Sequence, residues 1–403
     1  MADKNKKKIY IKTTKNGVNV KANGKNTATI KFSSKLFIAI AVVVLVVVAA
    51  VLIFRFGFPA QWNKFIAIFM PPSVDGNPEG DLAVHFLDVG QGDCIIIELP
   101  DGKKAIMDAG GNEASTTQND CQTKIVQSID ELKIKTFDYM FLSHSDKDHV
   151  EFMVTVLEKY DVKQIYRPAF NSTLERDLNI NPQYGTIETI IYNDFVKAVK
   201  EEEKQGASVE FNLGKKQIDG VGYKFDIFGV SEEWYLKDKV GDEKNIDAKE
   251  RNKVSPMVLL SYNAEEDVRR IMFTGDAEGK GGNNGESLFL NGYKDNIDID
   301  LLKIGHHGSE SSASNEFLQR LDPEYAVISV GTQGEHGHPR KECLDRLATY
   351  NDGKGQLGIE VYMTKDYGNI IFRVNKQGKM SFDTDIKKAA WKLILWLSAM
   401  MWE

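Results

Sequence analysis

Residues 36–54 form an unbroken run of 19 apolar residues, rich in valine, and no other feature constrains the chain as much. At ~1.5 Å rise per residue such a helix reaches roughly 28 Å, about the hydrocarbon thickness of a bilayer. A buried core helix is the alternative, but soluble folds rarely hold so long a run without a polar face. The run therefore reads as one transmembrane helix. A cleavable signal peptide would have a shorter apolar run ending in small residues, whereas Arg55 and Phe56 follow here, so an uncleaved anchor is expected. Residues 1–35 hold ten lysines and one aspartate. Lysines before the span and few basic residues just after it place the N-terminus in the cytoplasm and the chain from about Pro59 onward outside it, at the cell membrane.

The anchor divides the charge. Residues 1–35 carry about +9, and the rest, with 41 basic and 57 acidic residues, sums to −16. The first segment alternates lysine with small polar residues and β-branched ones such as Ile9, Ile11, Val18 and Val20. A basic strand pair or a disordered tail fits that pattern, and its composition favours disorder. Residues 55–80, with Pro59, Pro71, Pro72 and Pro78, read as a linker. Short apolar strands then recur near 82–89, 94–99, 105–110 and 139–143, with helical stretches near 122–133 and 150–160. That alternation implies a layered α/β domain over 81–380. The more polar residues 171–250 read as an insertion covering one side of its core. Residues 381–403 are apolar and carry Trp391, Trp396 and Trp402. Such a helix suits the outer membrane interface or a site packed on the domain. Cys94, Cys121 and Cys343 make no disulfide framework and read as buried thiols.

Of seven histidines, six fall in three short segments. The first, Ser143-His144-Ser145-Asp146-Lys147-Asp148-His149, follows an apolar strand and packs four potential ligands into six residues. A solvated turn accounts for the aspartates but not for two histidines closing the same loop, so a metal loop is expected. Phe273-Thr274-Gly275-Asp276 presents a carboxylate at a strand end. Lys303-Ile304-Gly305-His306-His307-Gly308-Ser309 and Gly337-His338-Pro339 follow two further apolar strands. Any one of these segments has an ordinary structural explanation; four strand-end clusters of ligand residues in one domain do not.

His144-x-Asp146-x-Asp148-His149 resembles the His-x-His-x-Asp-His signature of the metallo-β-lactamase superfamily. In order, Phe86-Leu87-Asp88-Val89-Gly90-Gln91-Gly92-Asp93, Met107-Asp108-Ala109-Gly110-Gly111, the metal loop, Asn252 with Ser255, Thr274-Gly275-Asp276, the His306-His307 segment and Gly337-His338-Pro339 resemble the hydrolase domain of the ComEC/Rec2 competence protein family. Val361-Tyr362-Met363-Thr364 with Gly368 is similar to the family's closing strand pair. The resemblance spans roughly residues 82–375 and implies an αββα sandwich, preceded here by the transmembrane helix. It implies two divalent metal ions, Zn or Mn. His144 and Asp146 would hold one ion, Asp148 and His149 the other, and Asp276 would bridge them. One of the two adjacent histidines would complete the second site, with His306 favoured and His307 left for substrate. Asp88 would lie beneath the site, with Asp93, Asn252 and Ser309 also supporting it. Lys303 and His338 would bind phosphate or transition-state charge, and Asp148 would take a proton from water. Where the family has a Gly-Gly pair after the loop, Val150-Glu151-Phe152 stands here, and larger side chains there would narrow the site.

Aspartate in place of the signature's middle histidine makes the first site richer in oxygen, which favours manganese more than an all-histidine site would. With the anchor at residues 36–54 supplying membrane attachment, lipid contact and an extracytoplasmic domain, the resemblance implies a phosphodiesterase or nuclease acting on single- or double-stranded DNA, with other competence or envelope proteins as partners. The acidic exported part weighs against DNA, whose binding rests on Lys/Arg contacts. Another envelope hydrolase, of an ester, lactone or β-lactam, is the first alternative, and a non-enzymatic binding module with vestigial ligands the second.

Overall fold

In the computed structural model, the residues described are 9–14, 17–22, 25–30 and 80–385, apart from 112–117, 169–186, 211–212, 230–251, 253–254, 280–284, 333–336, 354 and 356. The chain divides into two compact units, residues 1–74 and 75–403. Within the first, Ile9–Thr14, Gly17–Ala22 and Lys25–Ile30 form a three-stranded antiparallel sheet. This corrects the expectation of disorder: the β-branched alternation outweighs the polar composition. Among the described residues no helix is long and apolar enough to cross a membrane. The expected anchor at 36–54, the linker to residue 79 and the tryptophan-bearing stretch beyond 385 lie outside the described residues.

The second unit contains two large sheets. One runs, edge to edge, Ser208–Glu210, Gln164–Tyr166, Tyr139–Phe141, Lys104–Ala109, Cys94–Glu98, Leu82–Phe86, Ile370–Val374 and Met380–Thr384. The other runs Lys215–Asp219, Tyr223–Phe228, Met257–Asn263, Val268–Phe273, Leu301–Lys303, Tyr325–Ile328 and Glu360–Met363. Alternate residues show how they stack. Val84, Phe86, Ile95 and Ile97 of the first sheet share one buried cluster with Phe225, Leu260, Ile271 and Phe273 of the second. The intervening Ile96 and Ile106 turn outward to a cluster with Ile125 and Ile129 of the helix Gln118–Glu131 and Phe195 of Ile187–Gln205. On the far side Met272, Leu302 and Ala326 meet Phe317 and Leu321 of Asn315–Leu321 and Leu347 of Lys341–Thr349. Period-two strands apolar on both faces thus produce four layers, helix–sheet–sheet–helix, the expected αββα order.

Three expectations change. The described parts of residues 171–250 are integral: the helix Ile187–Gln205 belongs to the outer layer, and three following strands extend both sheets. The anticipated closing pair does not pair with itself, since Glu360–Met363 edges one sheet and Ile370–Val374 joins the other. Met380–Thr384 is an edge strand, so the domain extends past residue 380. The three cysteines are free and buried, as expected.

Lys104–Ala109 and Tyr139–Phe141 run parallel, as do Val268–Phe273, Leu301–Lys303 and Tyr325–Ile328. Each sheet therefore gathers several carboxyl-terminal strand ends, the place where open α/β sheets leave room for loops and ligands.

Candidate metal centre

The three motifs richest in ligand residues begin at these strand ends. His144 to His149 follow Tyr139–Phe141, Asp276 follows Val268–Phe273, and His306 and His307 follow Leu301–Lys303. The metal loop turns into the short helix Lys147–Val150, where the amides of His149 and Val150 donate to the carbonyl of Asp146. This requires backbone to approach backbone. A Cβ on Gly110 would lie 1.9 Å from the carbonyl carbon of Asp148. Gly275, at φ +51°, sits against Ser143, and a Cβ there would lie 2.6 Å from that side chain.

Three ligand atoms gather around a fourth, His307 Nε2. His149 Nε2 lies 3.1 Å from Asp276 Oδ1, and His307 Nε2 lies 3.2 Å from Asp148 Oδ2. The two Nε2 atoms are 3.3 Å apart, and His307 Nε2 is 3.7 Å from Asp276 Oδ1. Ligands about 2.0–2.2 Å from a tetrahedral ion stand at nearly such separations. The other oxygen of the same carboxylate faces a second group: Asp276 Oδ2 is 3.7 Å from His144 Nε2, which is 3.8 Å from Asp146 Oδ2. His144 Nε2 and Asp276 Oδ1 are buried without a hydrogen-bond partner. Orphaned acceptors inside a protein are costly, and a divalent cation satisfies both. The residues present fit a metal centre.

This corrects the choice within the histidine pair. His307, fully buried, joins Asp148, His149 and Asp276, whereas His306 lies to one side and remains partly exposed. Asp93 also comes within ligand range of His149, Asp276 and His307. Its oxygens, however, face the Nδ1 atoms of the two histidines, at 3.7 and 4.0 Å, behind the rings. Those Nδ1 atoms are already engaged, His149 donating to Asp108 Oδ2 at 2.8 Å and His307 to the Ser329 carbonyl at 2.8 Å. Asp93 is thus placed behind the two rings.

The supporting residue beneath the metal loop is Asp108, not Asp88. Asp108 accepts from His149 Nδ1, from the Ser143 amide at 2.7 Å and from the Ser143 hydroxyl at 2.6 Å. Asp88 binds elsewhere: its amide donates to Asn369 and its carboxylate accepts from the Gly90 amide. Asp108 belongs to the Met107-Asp108-Ala109-Gly110-Gly111 motif, and its place near the end of an apolar strand is the sequence signal for it. Asp108→Asn replaces one acceptor oxygen by an amide and is expected to weaken metal binding about 10–100-fold, read by competition with a chromophoric chelator.

Lys303 is also corrected. Expected to meet substrate phosphate, it is completely buried, with its ammonium paired to Asp93 and 3.4 Å from the Gly275 carbonyl. Of the residues standing where the family has Gly-Gly, Val150 and Phe152 pack in the outer hydrophobic cluster. Ser309 Oγ donates to Glu278 at 3.1 Å, a supporting contact. Asn252 Nδ2 is 3.4 Å from His306 Nδ1, and the ring of His338 lies 5.2 Å from that of His306 at the rim.

The electrostatics suit cation capture. Burial, then the nearby His149, hold His144 down to about 3, so its imidazole is neutral with a free lone pair. Burial alone would raise the carboxyls of Asp148 and Asp276. The histidines around them outweigh it, so Asp148 is lowered and Asp276 held well below the usual range. Burial is likewise outweighed at His149, which Asp276 and Asp108 push well above its usual value. A cation would displace that proton.

No family model matches the chain. Among curated proteins it is 25% identical to ComE operon protein 3 of Bacillus subtilis over 325 residues, 78% of this chain and 35% of that protein. It is 24% identical to Competence protein ComA of Neisseria gonorrhoeae over 327 residues, 81% of this chain and 37% of that protein. The chain spans about a third of the length of the curated relatives it matches. Among solved structures it is similar to the metallo-β-lactamase fold protein YhfI of Bacillus subtilis, with TM-score 0.39 and 10% identity, covering 75% of this chain and all of that one. The resemblance to ComEC-family competence proteins read from the motifs is thus found along most of the chain.

Proposed function

We propose that the chain is a metal-dependent hydrolase acting on phosphodiesters, nucleic acid being the substrate class that its competence-protein relatives suggest. The observation that carries this reading is the Asp276 carboxylate, with one oxygen among His149 and His307 and the other beside His144. Two groups of ligands sharing one carboxylate are what a two-metal site requires. Two cations held there supply Lewis acidity and a more acidic water.

The chain's own residues do the rest. Asp108 and Ser329 fix the Nδ1 side of His149 and His307, so their Nε2 atoms point into the centre. Asp148, with 29% of its side chain exposed, is the most open of the four convergent ligands and the one placed to accept a proton from entering water. His338 stands at the rim, where an anionic substrate arrives. Lys303 contributes no charge to substrate because Asp93 holds it. Substrate charge is therefore met mainly by the cations, in keeping with an acidic protein that offers little to a nucleic-acid backbone. Membrane anchoring through residues 36–54, an extracytoplasmic catalytic domain, and work beside other competence or envelope proteins belong to the same proposal.

The test is a screen of the metal-stripped and reconstituted protein against single- and double-stranded DNA, RNA, bis-p-nitrophenyl phosphate, a lactone and a β-lactam. Phosphodiesters are expected to turn over, Asp148→Ala to be inactive, and Mn²⁺ to restore activity at least comparably to Zn²⁺. The convergent donors include three carboxylates, Asp146, Asp148 and Asp276, more oxygen than the histidine-rich signature would supply. Turnover of the lactone or the β-lactam alone would replace the phosphodiester reading, and an inert Mn²⁺ form would remove the metal preference.

A further inference from the structure

His306 is the one histidine of the cluster that the two ligand groups leave without a task. It and His307 both adopt left-handed backbone conformations, φ 44° and 49°, which non-glycine residues seldom occupy and which cost energy. That geometry brings two consecutive rings to the two oxygens of one carboxylate. His307 Nε2 is 3.7 Å from Asp276 Oδ1, and His306 Nε2 is 3.8 Å from Asp276 Oδ2. Oδ2 is the oxygen that also faces His144.

The His306 ring is fixed from behind. Its Nδ1–H donates to Glu278 Oε1 at 2.5 Å, Glu278 accepts from Ser309 Oγ at 3.1 Å, and Ser309 is within 2.8 Å of the Ser311 hydroxyl. A carboxylate at Nδ1 holds one proton there, so Nε2, facing Asp276, is the nitrogen left to a cation once its own proton is displaced. A surface ion pair alone would account for the contact with Glu278, but not for a strained backbone that aims the opposite nitrogen at a shared carboxylate.

We infer that His306 is a ligand of the first metal site, with His144, Asp146 and Asp276, and that Glu278 is the positioning residue that orients it. The adjacent histidines then serve one ion each, and His306 supplies the nitrogen that an aspartate at position 146 removes from that site. This rests on the two-metal part of the proposed function and not on the phosphodiester.

The full-length chain titrated with Co²⁺ tests it, with bound ions counted by atomic absorption and each site followed by visible d–d absorption. Wild type is expected to bind two ions. His306→Ala and Asp146→Ala should each retain one, with the same spectrum, because the same site survives in both. His307→Ala should leave a different spectrum. Glu278→Gln should weaken the first-site ion about 10–100-fold and leave the second unchanged. Melting in excess chelator, unchanged among the variants, excludes misfolding as the cause. The assignment is overturned if wild type binds a single ion, if His306→Ala keeps both, or if its spectrum matches that of His307→Ala. Glu278→Gln with wild-type affinity at both sites overturns the positioning role. A protein with this binding pattern that cleaves no phosphodiester would refute the substrate reading and leave the ligand assignment standing.

Discussion

Replacing Asp276 with alanine is expected to lower kcat/KM by more than about 10³-fold, beyond the 10²–10³ lost with a single charge-stabilising donor. The carboxylate is 2% exposed and lies within 3.8 Å of His144, His149, His306 and His307. No other described side chain touches all four. Without it, four imidazoles face one another with no anion between them, and the two ions proposed above would lose the group that screens them from each other. Metal stoichiometry should fall together with turnover, and added metal should not rescue it. Asp276→Asn is the sharper variant, since it keeps the shape and removes the charge. Activity within tenfold of wild type in that variant, with two ions bound, would mean that the carboxylate does not bridge. Chelation of the wild type should abolish turnover reversibly. Uptake should weaken as pH falls, because cations compete with protons for the same nitrogens. In the metal-free chain burial lowers His306, but Asp276 and then Glu278 push it up to about 9, so that proton too must leave as the ion enters.

Much of this centre was legible because its chemistry sits in short segments. His144, Asp146, Asp148, His149 and Asp276 each follow an apolar strand, and a strand end fixes where the next few residues go. The four layers were legible for a related reason: strands with consecutive apolar residues, such as Cys94 to Ile97 in Cys94–Glu98, must be covered on both faces. What the sequence left open depended on side-chain direction. His306 and His307 are neighbours, and only the left-handed backbone at both decides which ring joins His149. Asp88 follows Leu82–Phe86 and Asp108 lies near the end of Lys104–Ala109, two strands of one sheet. Lys104–Ala109 lies directly beside Tyr139–Phe141, whereas the strand before Asp88 is two places farther away. That neighbour relation is long-range pairing, which local pattern does not contain. Residues 171–250 read as an insertion because polar segments hide edge strands such as Lys215–Asp219, exposed along one face.

The place of Lys303 lies beyond local pattern for a further reason. A lysine beside a metal loop reads as a phosphate ligand, but complete burial against Asp93, itself 1% exposed, makes it a counter-charge. Removing one member of such a pair leaves the other charged and dry, which costs about 3–5 kcal/mol. Against a domain stability of about 5–15 kcal/mol, Lys303→Met should be marginal, and Asp93→Asn should suffer by the same mechanism. The combined Asp93→Asn, Lys303→Met variant removes both charges and should recover part of the loss, so urea unfolding of the four proteins should give a positive coupling energy. The same cycle separates structure from substrate binding. If Lys303 only neutralises Asp93, the double variant regains turnover with KM near wild type once it is folded and loaded with metal. If the ammonium met a substrate phosphate, the double variant would be stable but its KM would stay high. The first outcome is expected, because the Lys303 ammonium lies beside Asp93 and the Gly275 carbonyl, behind the histidine rings that a substrate would have to pass.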